Sequence, residues 1–171
     1  MLNCALVIGS AGGVWEEVAE AKRLYCFDCI IAINSAGVSY PDAFDHWVSY
    51  HIDLFPHWID LRKKAGYPDV TSFWSSVFRG ATIHHKTKFP VQRIPCNGGS
   101  SGLIATLVGL KLCQSVVLTG VPLDPNRAHF DLPGSWDEAI LHRKAWETYL
   151  PELKGRVTSM SGWTKELLER V

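Results

Sequence analysis

The sequence has no excess of charge of either sign, because its 171 residues include 17 Lys and Arg and 17 Asp and Glu. The overall charge therefore does not attract the chain to nucleic acid or to an anionic membrane, and neither is an expected partner. No apolar run approaches the ~20 residues that a membrane-spanning helix needs. No basic residue precedes Lys22, so a secretory signal is not expected either.

Cysteine is also scarce, and five cysteines, an odd number, argue against a framework of disulfides. Scattered through apolar segments, they are typical of reduced core residues in a cytoplasmic protein. Cys26 and Cys29 have the spacing of a redox motif. That motif follows a strand and opens a helix, whereas this pair precedes a predicted strand. We therefore predict buried thiols rather than a redox site.

The residues that are present, 47% apolar and 20% charged, alternate between short apolar runs and helical patterns. Strands separated by helices predict an α/β fold, three-layered and Rossmann-like, with a mostly parallel sheet and helices on both faces. With no repeat, low-complexity tract or linker, residues 1–171 are predicted to form one domain. The predicted strands are 4–9, 29–33, 46–52, 82–84, 91–94, 115–119 and 156–159, and the predicted helices are 14–24, 56–65, 101–113, 136–150 and 164–170.

Two glycine-rich turns are predicted at the carboxyl ends of strands, where ligands bind in an open parallel sheet. The first consists of Gly9, Ser10, Ala11, Gly12 and Gly13, and the second of Asn97, Gly98, Gly99, Ser100, Ser101 and Gly102. Unpaired N–H groups at a helix N-terminus suit a phosphate. Neither turn is a Walker loop or has the Gly-x-Gly-x-x-Gly spacing of dinucleotide-binding proteins. Tight turns also need glycine for steric reasons, so the glycines could be there without binding a ligand. This steric alternative is stronger for the first turn than for the second, which has more polar residues.

Polar residues follow three of the predicted strands. Asn34 and Ser35 follow the second strand, Asp53 the third, and Gly120 and Asp124 the last inner strand. Asp124 could hold a metal ion or a hydroxyl group, or it could form the turn before the next proline.

The segment 122–135 is a candidate lid loop, because its prolines and glycine cannot propagate a helix or a central strand. We expect it to be mobile without ligand and ordered with it. Arg127 offers a guanidinium fork for phosphate, and His129 could act as a general base near neutral pH, with a surface-loop histidine as the alternative. His51 could point into the same cleft. The basic segment 84–88 is either a phosphate-side loop or a solvated strand end.

Seven tryptophans are many for a chain of this length. Three have the spacing of helical core residues, namely Trp15, Trp136 and Trp146. Three others could stack on a base or pterin ring, or form a protein interface such as that of a homo-oligomer, namely Trp47, Trp58 and Trp74.

The C-terminal half of the sequence resembles the C-terminal core of two related families. The resemblance consists of the Gly-Ser-Ser-Gly segment 99–102, an apolar helix, an apolar strand, and then Gly120 and Asp124. One is the 6-hydroxymethylpterin diphosphokinase-like family, together with small proteins, many phage-encoded, that carry the same core. The other is the bacterial sialyltransferases. Residues 7–13 resemble their first nucleotide-side loop and residues 30–35 their second strand. The sequence departs from the sialyltransferases directly after Gly120, where they have Ile-Asp, and it is much shorter.

This resemblance implies that the chain binds a nucleotide or a nucleotide-sugar. Residues 10–13 and 97–102 would lie near its phosphate and ribose, and residues 34–35 near the reacting end. A diphosphokinase-like enzyme would place Mg²⁺ on carboxylates at this edge of the sheet, here Asp53 and Asp124, because Mg²⁺ binds through one or two carboxylates plus the phosphates of the substrate.

These features predict a nucleotide-dependent transferase. It would catalyse diphosphoryl transfer to a pterin-like hydroxymethyl group, which needs Mg²⁺ and positioned donors, or glycosyl transfer from a nucleotide-sugar. The sialyltransferases also place a catalytic histidine on a loop after the corresponding strand, where this chain has His129. The alternative is a protein that binds or sequesters a nucleotide without catalysis, because no residue is an unambiguous nucleophile or base and a fold alone does not supply chemistry.

Overall fold

The structure is a computed structural model that describes residues 1–77, 89–131 and 134–170. In this part of the chain, seven strands form one all-parallel sheet in the order β5-β4-β3-β2-β1-β6-β7, which confirms the Rossmann-like prediction. The strands are β1 Leu2–Ile8, β2 Cys29–Ile33, β3 His46–Val48, β4 Phe73–Val77, β5 Gln92–Pro95, β6 Cys113–Thr119 and β7 Val157–Ser159. The helices are α1 Val14–Leu24, α2 Ala36–Ser39, α3 Phe55–Lys64, α4 Ser101–Leu112, α5 Ala139–Leu153 and α6 Gly162–Glu169.

Helices cover both faces of the sheet, and each face has its own apolar core. In β1, Ala5 and Val7 point into one core and Leu6 and Ile8 into the other, because side chains alternate along a strand. Helices α4, α5 and α6 pack on the first face, and α1, α2 and α3 on the second. Helix α4 is the innermost, with residues 101–110 all buried. Even so, no helix in the described ranges is long and apolar enough to cross a membrane.

The third strand is shorter than predicted, and this removes Asp53 from a strand end. Strand β3 stops at Val48 instead of continuing to residue 52, because the chain turns directly after it. The Ser49 hydroxyl accepts a hydrogen bond from the His51 amide at 2.8 Å. A 3-10 turn, Ile52–Leu54, then leads into α3, and Asp53 lies exposed in this turn.

Other element boundaries also differ from the prediction. Strand β4 was not predicted, and β5 is shifted by one residue from the predicted 91–94. Helix α5 begins at Ala139 rather than at residue 136, because the Trp136 amide is still in a turn and donates to the Pro125 carbonyl at 3.0 Å. The predicted strand 82–84 and the basic segment 84–88 lie outside the described residues.

The tryptophans that were expected to contact a ring or a partner are core residues instead. Trp47, Trp58 and Trp74 are all buried. Trp47 stacks on Trp58 with ring centroids 6.2 Å apart, and its Nε1 donates to the Asn34 carbonyl at 2.8 Å. The prediction that these three rings offer a stacking or interface surface is therefore wrong, since each is used to fill a core.

One buried charge connects α3 to the segment after α2. Arg62 is only 2% exposed, and its guanidinium donates to the backbone carbonyls of Gly37, Tyr40, Asp42 and Pro68. Carbonyl dipoles thus solvate the cation in place of water, and the cation in return gives a donor to one carbonyl of α2 and three carbonyls outside the helices.

The five cysteines all lie in the described ranges, and each is a free thiol. Cys29, Cys96 and Cys113 are buried, and burial raises the pKa of Cys29 to about 12. Cys26 is exposed, so the prediction of a buried thiol is wrong at this position, and the two members of the Cys-x-x-Cys pair differ sharply in their access to solvent.

We expect a thiol reagent at neutral pH to label Cys26 in the folded protein and to leave Cys29 unmodified until the chain unfolds. The thiolate is the reactive form, and burial disfavours it at Cys29. Peptide mapping by mass spectrometry, with and without urea, measures both sites in one sample. Rapid modification of Cys29 without urea would contradict this expectation.

Candidate functional site

A cavity of about 410 Å³ opens at the carboxyl edge of the sheet, where the strand order reverses between β1 and β6. The loops after these two strands lead to opposite sides of the sheet and leave a crevice between them. The predicted site residues that line it are Gly9, Ser10, Asn34, Ser100, Ser101, Gly102, Gly120, Arg127 and His129. The predicted site residues that do not line it are Gly12, Gly13, Ser35, Asp53, Asn97, Gly98, Gly99 and Asp124.

Gly9 and Gly120 meet where the two central strands end. A Cβ atom at Gly9 would lie 2.2 Å from the Gly120 carbonyl oxygen, and one at Gly120 would lie 2.6 Å from Cγ2 of Val14. Both amides already have acceptors, since Gly9 donates to the Thr119 carbonyl at 2.7 Å and Gly120 to a Glu17 carboxylate oxygen at 2.7 Å. The missing side chains allow the two strand ends to touch, and neither amide is left to donate to a ligand.

The donors that remain unpaired are at the start of α4. Ser100, the residue before the helix, is 8% exposed, and its hydroxyl has no hydrogen-bond partner in the described ranges. The Ser101 hydroxyl accepts from the Tyr50 amide at 3.1 Å, and its own proton has no acceptor among the described residues. The amides of Ser101 and Gly102 also lack an acceptor among the described residues, as is usual in the first turn of a helix.

Helix α5 lies against the second glycine-rich turn. A Cβ atom at Gly99, which has φ of 86°, would lie 3.4 Å from the Ala145 Cβ. The Tyr149 hydroxyl accepts a hydrogen bond from the Asn97 amide at 3.1 Å. His142, Ala145 and Tyr149 recur with the spacing of one helical face, so this face of α5 follows the turn and brings His142 to the cavity wall.

Asn34 is held in an unusual backbone conformation at the end of β2. Its φ of 48° is in the left-handed region, which asparagine tolerates better than most residues. Its carbonyl accepts from Trp47, and its Oδ1 accepts from the Ser49 hydroxyl at 2.7 Å. These bonds orient the side chain, and within the described residues its amide nitrogen has no acceptor, so it can donate into the cavity.

The loop after β6 is joined to the first glycine-rich turn along part of its length. The Phe130 amide donates to the Ser10 carbonyl at 2.8 Å, and Ala11 and His129 form an antiparallel bridge. His129 therefore lines the same cavity as the start of α4, as predicted. That this loop is mobile without ligand stays a prediction.

Arg127 reaches the cavity but is already ion-paired. Its Nη2 lies 3.0 Å from a Glu17 carboxylate oxygen, and its Nη1 donates to the Ser161 hydroxyl at 2.5 Å. The Gly12 carbonyl also accepts from Nη2. These contacts connect α1 to the segments after β6 and β7, so the guanidinium is positioned by three parts of the chain and its charge is partly neutralised.

Neither of the predicted metal ligands faces the cavity. Asp124 accepts a hydrogen bond from the Asn126 amide at 2.9 Å, which is the turn-forming alternative considered for it. Asp53 lies in the exposed turn before α3. Among the residues that the structure describes, no group of three or more His, Cys, Asp or Glu side chains could hold a metal ion. The side chains that line the cavity do not fit the expected Mg²⁺ site.

Several residues that were not predicted there also line the cavity, among them the apolar Ile33 and Val121 and the larger side chains of Tyr50, Trp136 and His142. Trp136 was expected in a helical core but lies before α5, with its ring centroid 5.9 Å from that of His129 and 5.6 Å from that of His142. The Tyr50 hydroxyl donates to the Gly98 carbonyl at 3.1 Å. No sequence pattern marks these residues, because each reaches the cavity through packing between distant segments.

The charges around the cavity favour an anionic or neutral ligand. No described carboxylate lines it, and the segments 78–88, 132–133 and residue 171 contain no Asp or Glu. Burial lowers the pKa of His142 and raises that of Tyr50, so both side chains are neutral near pH 7.

A comparison of the chain with protein-family models, curated proteins and solved structures found no match. The resemblance to the diphosphokinase-like and sialyltransferase families therefore stays a prediction. Function has to be inferred from the chemistry of the site, because a Rossmann-like fold serves many unrelated functions.

Proposed function

We propose that the protein is a nucleotide-dependent transferase that binds a nucleotide, or the nucleotide part of a nucleotide-sugar, in the cavity at the carboxyl edge of the sheet. One observation carries this proposal: unpaired donors converge at the start of α4 in a cavity with no described carboxylate in its lining. A helix N-terminus with unpaired amides attracts a phosphate through both hydrogen bonds and the helix dipole.

The volume of the cavity suits one nucleotide. Ligand pockets commonly have about 300–1,000 Å³. At about 410 Å³, this cavity is at the small end of that range. The phosphate would lie at the start of α4, and the transferred group would extend toward His129 on the opposite loop.

In the proposed reaction, an acceptor hydroxyl attacks the transferred group. A bond forms between the acceptor oxygen and this group while its bond to the leaving phosphate oxygen breaks. His129 takes the proton of the hydroxyl as general base. Donors at the start of α4 and the fixed guanidinium of Arg127 stabilise the charge that develops on the phosphate. The amide nitrogen of Asn34 would orient the reacting end.

Of the two reactions considered, glycosyl transfer is the better supported. Diphosphoryl transfer uses Mg²⁺ held by carboxylates, and no described carboxylate lines the cavity. Binding without catalysis is the second candidate, and the pairing of Arg127 with Glu17 favours it, because this guanidinium already has a partner.

Thermal-shift measurements with CMP, a CMP-sugar and ATP, each with and without Mg²⁺, test the proposal. We expect CMP and the CMP-sugar to raise the melting temperature without Mg²⁺, since a ligand that binds only the native state stabilises it. Stabilisation by ATP alone, and only with Mg²⁺, would favour the diphosphokinase reaction instead. No stabilisation by any of the three would contradict nucleotide binding. Turnover of the CMP-sugar then separates an enzyme from a binding protein.

Ser100→Ala is expected to weaken CMP binding about tenfold or more, because a hydrogen bond to a charged group contributes about 1.5–3 kcal/mol. The ligand-free melting temperature should be unchanged or slightly higher, since the lost hydroxyl is buried without a described partner. Isothermal titration calorimetry measures the affinity, and the double variant with Ser101→Ala should bind still more weakly. Ser115→Ala is the control, because this hydroxyl donates to Asn3 at the other end of β6. Unchanged affinity in the double variant would refute the role of this turn.

A further inference from the structure

His142 lies at the cavity wall, beside the turn where the phosphate is proposed to bind. Its helix, α5, packs on that turn through Ala145 and Tyr149, so the position of His142 relative to the turn is determined by the core and not by a loop. The Trp136 ring covers one side of the imidazole at 5.6 Å. The proposed reaction leaves this titratable group without a role.

Among the described residues, charged and titratable groups of both signs lie near His142. Glu138, the residue directly before α5, and the Gly99 backbone both raise the pKa of His142, but burial outweighs them and lowers it. His129 also contacts the Trp136 ring, with centroids 5.9 Å apart, and Arg127 and His51 line the same cavity. A second cation in this cavity is therefore unfavourable unless an anion accompanies it.

We propose that His142 is a proton-linked ligand for the phosphate: it binds this group as an imidazolium and takes up one proton from solvent when the nucleotide enters. The inference rests on the proposed function, because it requires a phosphate at the start of α4. Independent support for an anion there comes from Ser100, whose buried hydroxyl has no described partner. An anion beside a buried imidazole favours its charged form and so offsets the cost of burial.

The sign of the pH dependence follows from this proton uptake. The complex holds one proton more than the separate partners. The contribution of His142 to affinity therefore increases as the pH falls from the pKa of His142 in the complex to its lower pKa in the ligand-free protein. Above the pKa of the complex, His142 is neutral in both states and contributes no pH dependence. The phosphate itself takes up a proton near pH 6, which weakens binding and has the opposite sign. The two effects are separated by comparison with a variant that lacks the imidazole.

The experiment is calorimetry of CMP binding between pH 6 and pH 8, in buffers of different ionisation enthalpy, for the wild type and His142→Gln. We expect the ratio of their affinities to rise about threefold or more from pH 8 to pH 6, since the factor of ten that corresponds to a pKa change of one unit is reached only below the pKa of the ligand-free protein. His57→Gln, an exposed residue of α3 outside the cavity lining, should behave as the wild type. Cytidine, which has no phosphate, should bind without uptake of this proton.

The outcomes distinguish this inference from the proposed function. If both proteins bind CMP with the same pH profile, the inference is overturned and nucleotide binding stands. If the wild type binds neither CMP nor ATP at any pH, both are overturned. An NMR titration of the His142 ring in the wild type avoids any folding defect of the variant. Its pKa should rise by about one unit or more with CMP, and an unchanged pKa overturns the inference.

Discussion

Replacing Arg62 by Met is expected to lower the free energy of unfolding by about 3–5 kcal/mol, because several buried carbonyls lose their hydrogen-bond donor at once. Arg62 donates to four backbone carbonyls from a position that is 2% exposed. Methionine fills a similar apolar volume but donates no hydrogen bond, so buried carbonyls lose their donors at about 1–3 kcal/mol each. Urea denaturation followed by circular dichroism measures the change.

Two further variants make this test specific. Lys63→Met changes the neighbouring, exposed residue of the same helix and should alter stability by no more than about 0.5 kcal/mol. Arg62→Lys keeps the charge but not the planar fork, so its loss should be intermediate. If Arg62→Met is no less stable than Lys63→Met, the carbonyl contacts do not contribute as described.

His129→Ala is expected to lower the turnover of a CMP-sugar by about 10²-fold or more, the usual contribution of a general base. CMP affinity should change little, because the phosphate donors are at the start of α4 on the other side of the cavity. His129 is positioned by the bridge between its own backbone and Ala11, so truncation of its side chain should leave the loop in place. Single-turnover kinetics together with calorimetry measure the two effects separately.

The control for this prediction is His57→Ala, which removes an exposed imidazole outside the cavity lining. It should retain wild-type turnover. Equal turnover in His129→Ala and the wild type would show that His129 is not the base. If the wild type binds CMP but turns over no nucleotide-sugar, the second candidate, a nucleotide-binding protein without catalysis, replaces the first.

Local sequence patterns predicted the sheet and much of the cavity. Continuous apolar runs such as β1 and β6 indicated parallel strands that are covered on both faces, and the structure confirms both. Since parallel strands end at one edge of a sheet, the polar residues after them could be placed together without coordinates. Ser10, Asn34 and Ser100 accordingly line a single cavity.

Sequence alone placed the carboxyl ends of the strands at one edge, because strands separated by helices form a mostly parallel sheet. Tertiary structure decided which side chains face the cavity. Asp53 does not line the cavity, because a side-chain hydrogen bond at Ser49 helps end β3 early. Asp124 does not line it either, because its carboxylate accepts a hydrogen bond within its own turn. Trp136 and His142 are included because α5 packs on a glycine-rich turn more than 30 residues earlier in the chain. Such contacts depend on hydrogen bonds and packing between distant segments, which no local pattern of residues encodes.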